Sequence, residues 1–322
     1  MKIPFTPAVY EHAARLVDRS PWDVSRDPEL AFAGHREAFL LYRHTPVVVG
    51  IDIYNLEAEA YGATVREPSG NGIPAIHDVL CATLDEVLEL PPYDPGTDGR
   101  IAMMIDVGKR LASELPEADV RIPVSGPFSI AFNLRGIGGL CEDVAFRPDD
   151  VAKLLMQLSE NQAVFCRAVV DAGLDVAFFE SAASPPMLSP DYFHRIELPA
   201  LKRIMSIAES YVNHPVPCIM GGDTLLVLDD ILATGTGFVV CNVETDQEEF
   251  IRRAGRSHPH VKIRVNMDPV VVTSDDPSTI YREIDRILTI TSDHPNCLMG
   301  TGCLPYETPP ENMQLIEDYL SN

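Results

Sequence analysis

Positive charge is scarce in this chain. Its 322 residues carry 25 Lys and Arg against 48 Asp and Glu, a formal net charge of −23. Such a surface repels phosphate backbones, which argues against nucleic-acid binding. No acidic run is long, so the charge is spread over solvated faces. Long apolar runs are missing too. None approaches the roughly 18–20 residues that a membrane span needs. The start, Met1-Lys2-Ile3-Pro4-Phe5-Thr6-Pro7, has no apolar core of signal-peptide length. Seven scattered cysteines, an odd number, do not look like a disulfide framework, so a reducing, cytoplasmic setting is expected. No G-x-G-x-x-G follows any strand, and neither G-x-x-x-x-G-K-[ST] nor G-x-S-x-G occurs. Nucleotide-dependent chemistry therefore has no support. Gly136-Ile137-Gly138-Gly139 reads as a flexible turn rather than a phosphate cradle.

What the chain does have is alternation. Residues are 46% hydrophobic and 23% charged, which suits an α/β protein with a sizeable core. Short apolar, β-branched runs predict strands at 21–24, 46–53, 120–124, 176–179, 216–220, 238–243, 261–265 and 297–300. Between them lie amphipathic stretches, the longest opening at Pro148-Asp149-Asp150 and stopping at Gly173. Residues 7–17 and 27–42 also read as helix, and Thr83-Leu84-Asp85-Glu86 has the spacing of a capping box. About eight strand–helix units argue for a (β/α)8 TIM barrel over an open doubly wound sheet. The whole chain, 1–322, is expected to be one domain. Residues 1–45 would form an N-terminal helical extension and the first strand, the one at 21–24.

A barrel gathers its strand ends onto one face. The polar residues there are Asp52, Ser125, Glu180, Cys218, Asn242, Asn266 and Cys303. Cys218 and Cys303 each follow an apolar run that meets glycines, Gly221-Gly222 and Gly300-Thr301-Gly302. Two thiolates plus a carboxylate, Glu180, would fill the protein share of a catalytic zinc site with one open position. The plainer reading makes each cysteine a small buried hydrophobe. Strand alternation lets only one of Cys241 and Asn242 face inward, so Cys241 is read as core. Glu180 either ligates or lines the pocket. Asp52 and Asn266 either touch substrate or hold a loop by hydrogen bonds. Tyr54, Asn55, Glu57 and Asn242 are expected to line the pocket and set substrate choice.

These residues resemble the uroporphyrinogen decarboxylase superfamily, and within it the corrinoid-linked methyltransferase branch. The resemblance starts at Gly50-Ile51-Asp52 and Glu57-Ala58-Glu59-Ala60-Tyr61-Gly62. It continues through Asp98-Gly99-Arg100, Ser125-Gly126-Pro127-Phe128, Leu188-Ser189-Pro190 and Asn266-Met267-Asp268-Pro269. It ends at Gly300-Thr301-Gly302-Cys303 and Thr308-Pro309-Pro310-Glu311-Asn312. The resemblance implies a (β/α)8 barrel and zinc-assisted methyl transfer between a small methyl donor or acceptor and a corrinoid. No D-x-H-x-x-G signature occurs, so the corrinoid (cobalamin type) is expected on a partner protein. The branch holds zinc with a His-x-Cys pair and a lone Cys. The lone Cys matches Cys303. The pair falls on Cys218 and Met220, so the third ligand would come from Glu180, Asp223 or Glu244. The decarboxylase branch carries R-Q-A-G-R-Y near its N-terminus, which Arg15, Arg19 and Arg26 do not form. Porphyrinogen decarboxylation and a metal-free barrel that binds a small molecule are the alternatives.

Overall fold

The computed structural model describes residues 3–321. Eight parallel strands run in chain order: β1 (Phe5–Ala8), β2 (Val47–Val48), β3 (Val120–Ser125), β4 (Asp175–Phe179), β5 (Cys218–Ile219), β6 (Phe238–Cys241), β7 (Lys262–Met267) and β8 (Cys297–Cys303). They pair as two arcs, β2-β3-β4-β5 and β6-β7-β8-β1. Side chains bridge both seams. Thr6 Oγ1 donates to Thr45 O at 2.8 Å, and Cys218 N donates to Thr236 Oγ1 at 2.9 Å. Helices cover the outside, so the fold is a (β/α)8 barrel.

The expected first strand at 21–24 is a helix, Pro21–Arg26. Ser20 caps it by accepting from Asp23 N, and Pro21 sits in its first turn, where a missing N–H costs nothing. The first strand lies earlier, at Phe5–Ala8, inside a stretch read as helix from residue 7. Its Pro7 removes a ladder donor but is tolerated because β1 borders a seam. Only His12–Arg15 is helical in that stretch. The run at 46–53 keeps two strand residues before turning. The Gly136 stretch is not a loose turn. It joins two helices, Pro127–Arg135 and Ile137–Phe146, that cover the end of β3.

Strand parity is fixed by register. Phe179 pairs with Ser125 and Ile219, while Phe178 pairs with Val124 and Cys218. Phe179, Ala177, Val48, Ile53, Ala8 and Tyr10 pack together inside the barrel. Phe178, Val124 and Cys218 join the larger core between strands and helices. Each such fully buried Phe contributes about 1.5–3 kcal/mol of apolar transfer. Gln247 Nε2, on the helix Gln247–Ser257, donates to Asn266 O at 3.0 Å and ties that helix to β7.

Candidate functional site

The lumen side of the wall comes first. Tyr10 follows β1, Tyr54 follows β2, and both meet the Phe179 ring edge-on with centroids 6.1 Å away. Tyr54 Oη hydrogen-bonds Ser181 Oγ, which accepts from Gly221 N at 2.8 Å. On the opposite arc a chain of side chains crosses the barrel. Arg264 Nε donates to Asn266 Oδ1 at 3.1 Å, and Asn266 Nδ2 donates to Asn242 Oδ1 at 3.0 Å. Asn242 Nδ2 donates to Met220 O at 2.8 Å, anchoring the end of β5. A Cβ at Gly300 would stand 2.5 Å from Arg264 Cδ, so the glycine gives the arginine stem its path across β8. Cys303 ends β8 at the mouth. It is exposed to solvent, yet protein surrounds it, and that desolvation pushes its thiol up to about 12. Glu11 adds to that shift and is itself pushed to about 7 by burial.

The far side of the wall holds a second cluster. Glu180 is fully buried beneath the N-terminus of the helix Pro127–Arg135. Its carboxyl accepts from Phe128 N at 3.1 Å, Ser129 N at 3.2 Å and Ser129 Oγ at 2.6 Å. Gly126 is needed there, because its Cβ would overlap the Glu180 carboxyl. Glu197 faces Glu180 from a five-residue π-helical turn, Phe193–Glu197, near the Phe128 backbone N–H. Burial pushes Glu180 to about 7, and burial plus the Glu180 charge push Glu197 higher still. Like carboxyls in a dry site cannot both ionise, so the pair holds one proton between them. Cys218 completes the cluster, and burial keeps its thiol protonated.

The expected zinc set does not assemble. Cys218 and Glu180 are together on the helical side of the strands, whereas Cys303 stands at the mouth, with Tyr54 near both Glu180 and Cys303. Among the described residues no three His, Cys, Asp or Glu are grouped to hold a metal. The donors present therefore do not fit a zinc ion. The reason is parity: both residues lie near strand ends, but Phe179 and Ile219 take the inward positions.

Of the other expected pocket residues, Tyr54, Asn242 and Asn266 reach the lumen. Asp52 is tied into the frame beside it. Arg100 grips it bidentately at 3.0 and 2.6 Å, and Asn55 donates to it at 3.1 Å. Asn55 also holds Pro74 O at 2.8 Å. Glu57 accepts from Ser125 N at 2.7 Å and Ser125 Oγ at 2.8 Å, fixing the top of β3, and burial pushes it to about 7. These three hold the frame. Tyr10, Glu11, Ser181, Glu197 and Arg264 were not singled out from the sequence. Arg264 had a signal, since it stands two residues before Asn266 on one strand and so shares its face.

An α/β barrel with its polar strand ends gathered at a mouth is an enzyme architecture. The uroporphyrinogen decarboxylase (URO-D) family model matches residues 2–321, and the chain belongs to that family. A solved methyltransferase from Methanosarcina mazei superposes with a TM-score of 0.84 at 18% identity, covering 99% of this chain and 94% of that one. A putative vitamin-B12-independent methionine synthase from Listeria monocytogenes superposes with a TM-score of 0.54 at 10% identity, covering 99% and 98%. Both likenesses concern the fold. No curated protein matches the chain.

Proposed function

We propose that this chain is a methyltransferase that moves a methyl group between a small substrate in the barrel lumen and the corrinoid of a partner protein. The observation that carries the reading is Cys303, which the end of β8 stands at the mouth beside Tyr10, Tyr54 and Glu11. Family membership and the fold of the Methanosarcina methyltransferase support it. A corrinoid would supply or accept the methyl group as a methyl-cation equivalent. The rest falls to this chain. Tyr10, Tyr54 and Phe179 keep water from the reacting carbon. Asn242 and Asn266 hold the end of β5 in place. Glu11, at about 7, can take or return a proton at Oε2, which is buried and unpartnered. Zinc is not part of the proposal, since its expected ligands stand on opposite sides of the wall.

Porphyrinogen decarboxylation fits less well. A poly-carboxylate macrocycle needs several free cations, and Arg26 and Arg100 are already taken by Glu59 and Asp52. A metal-free binding barrel is the second reading, favoured by the failure of the zinc set to assemble.

The test follows methylcob(III)alamin demethylation by absorbance against a panel of small thiols, and methylation of cob(I)alamin by small ethers and amines. Turnover is expected in one direction. In Cys303→Ala it should fall about 10²-fold, the scale of losing a positioning group, with unchanged circular dichroism. Full activity in that variant would remove Cys303 from the mechanism. No turnover with any partner compound would leave the binding barrel as the better reading.

A further inference from the structure

Among the described residues, one lumen cation has no carboxylate partner. Arg264 is only 7% exposed. Its Nε bonds Asn266, but among the described residues neither Nη atom has a hydrogen-bond or ion-pair partner. The titratable groups close enough to act on its charge are Tyr10 and Cys303, and both are neutral near pH 7 because burial raises them. A guanidinium cannot shed its proton to escape burial. An uncompensated buried charge is costly, and proteins ordinarily pair it.

Arg264 lines a cavity of about 510 Å³ that runs from the N-terminal ends of the strands up the lumen to Tyr10 and Phe179. That volume is in the range of small-molecule sites. Its charge is inverted relative to the rest of the chain. Arg121, Lys262 and Arg264 line it with one carboxylate, Asp119, and Arg121 is also paired with Asp175 at 3.3 Å. Asp119 is already held by Arg121 at 3.0 Å. His44, also in the lining, is kept neutral by burial, which lowers it to about 3. The remaining wall is mostly apolar, with Phe5, Val48, Phe179, Ile219, Phe238 and Leu298 beside the polar Thr6, Thr45 and Asn296. Gly300 has no side chain where the arginine stem crosses, so the guanidinium is held between the cavity and the mouth.

We infer that the lumen binds a small organic carboxylate, its two oxygens on the Arg264 guanidinium and its apolar body against the Phe179–Phe238 wall. The planar fork of a guanidinium matches a carboxylate, and charge-assisted pairs of this kind are the strong ones. This rests on reading the lumen as the substrate chamber, but its test contains no methyl donor. Failure of binding and failure of methyl transfer are therefore read separately.

The experiment is calorimetric titration of the full chain at low chloride with three probes: benzoate, its neutral isostere benzamide, and inorganic phosphate. Benzoate should bind about tenfold or more tightly than benzamide, the scale of one charged hydrogen-bonded pair. Phosphate, with no apolar body, should bind more weakly than benzoate. The preference should vanish in Arg264→Met and survive in part in Arg264→Lys. Equal binding of benzoate and benzamide, no binding of either, or a preference that persists in Arg264→Met would overturn the assignment. Phosphate binding as tight as benzoate would overturn the carboxylate class. The first comparison uses wild type alone, so it does not depend on the variants folding.

Discussion

Two buried arginines behave differently. Arg100 meets Asp52 through two hydrogen bonds, Glu59 through a third at 2.6 Å and Ser25 O through a fourth at 2.7 Å. Its charge is consumed within the frame that joins the N-terminal helices to the end of β2. Arg264, in the lumen, has one side-chain acceptor, the neutral Asn266. The contrast separates a structural cation from one left for something else to complete. It also explains why Asp52, a polar residue just past a strand, is not in the pocket: the frame needs it more directly.

The largest expected effect tests that contrast. Asp52→Ala leaves Arg100 buried beside only part of its counter-charge, and should destabilise the fold by about 3–5 kcal/mol in urea unfolding. Arg264→Met should cost far less, because it removes a buried charge that no carboxylate among the described residues balances and gives up the Asn266 hydrogen bond and the Phe238 ring 5.9 Å away. Equal losses in the two variants would erase the distinction between the arginines. A smaller effect sharpens it. Gly300→Ala pushes a methyl into the Arg264 stem, and the Thr6 carbonyl 2.9 Å away limits relaxation. A loss of about 1–3 kcal/mol is expected. The part owed to the arginine stem should disappear when Gly300→Ala is combined with Arg264→Ala, read as a double-mutant cycle, leaving the part owed to the Thr6 carbonyl. Additive losses would mean that the glycine serves the backbone and not the arginine.

The smallest effect concerns the carboxyl pair behind the wall. Glu180 is about 7 in the fold against roughly 4.3 when unfolded. A raised acid binds more protons folded than unfolded, so its contribution is full below pH ~4.3 and is lost as pH rises through about 7. Glu11 and Glu57 share that window. His12, His35 and His44, lowered to about 4, 4 and 3, act the other way: their contribution is lost as pH falls below about 6.5. From about pH 7 to 8 most unfolded imidazoles have already lost their protons, so the carboxyls dominate the slope, and the buried thiols of Cys166 and Cys218, raised by burial, add to it with the same sign. The thermal midpoint should therefore fall across that range. Glu197→Gln should flatten the fall, since an amide can donate to Glu180 without titrating. An unchanged slope in the variant would mean that the pair does not share a proton.

Much of the architecture was legible in the chain. Alternation of apolar runs with amphipathic stretches marked seven of the eight strand regions. The exception, 21–24, was misread because Trp22 and Val24 look strand-like in isolation, while Ser20 and Pro21 are a helix start. β1 was hidden because Pro7 and a short run made it look like a helix entry. For the site, Tyr54, Asn242, Asn266 and Cys303 could be placed from strand ends alone. Glu180 and Cys218 could not, although they too lie at strand ends.

What the residue order determined by itself was the rhythm of strands and helices, and with it which residues come near the C-terminal ends of the strands. What only the tertiary structure decided was the side of the wall each one occupies. Barrel strands are apolar on both faces, because one packs the lumen and the other the helices. Hydrophobic pattern therefore does not reveal parity, and a shift of one residue exchanges the faces. The pairing of Phe179 with Ile219 turned those two inward and sent Cys218 to the helical side, while Glu180 packed under the helix Pro127–Arg135. The same geometry left Arg264 in the lumen with no carboxylate to meet it.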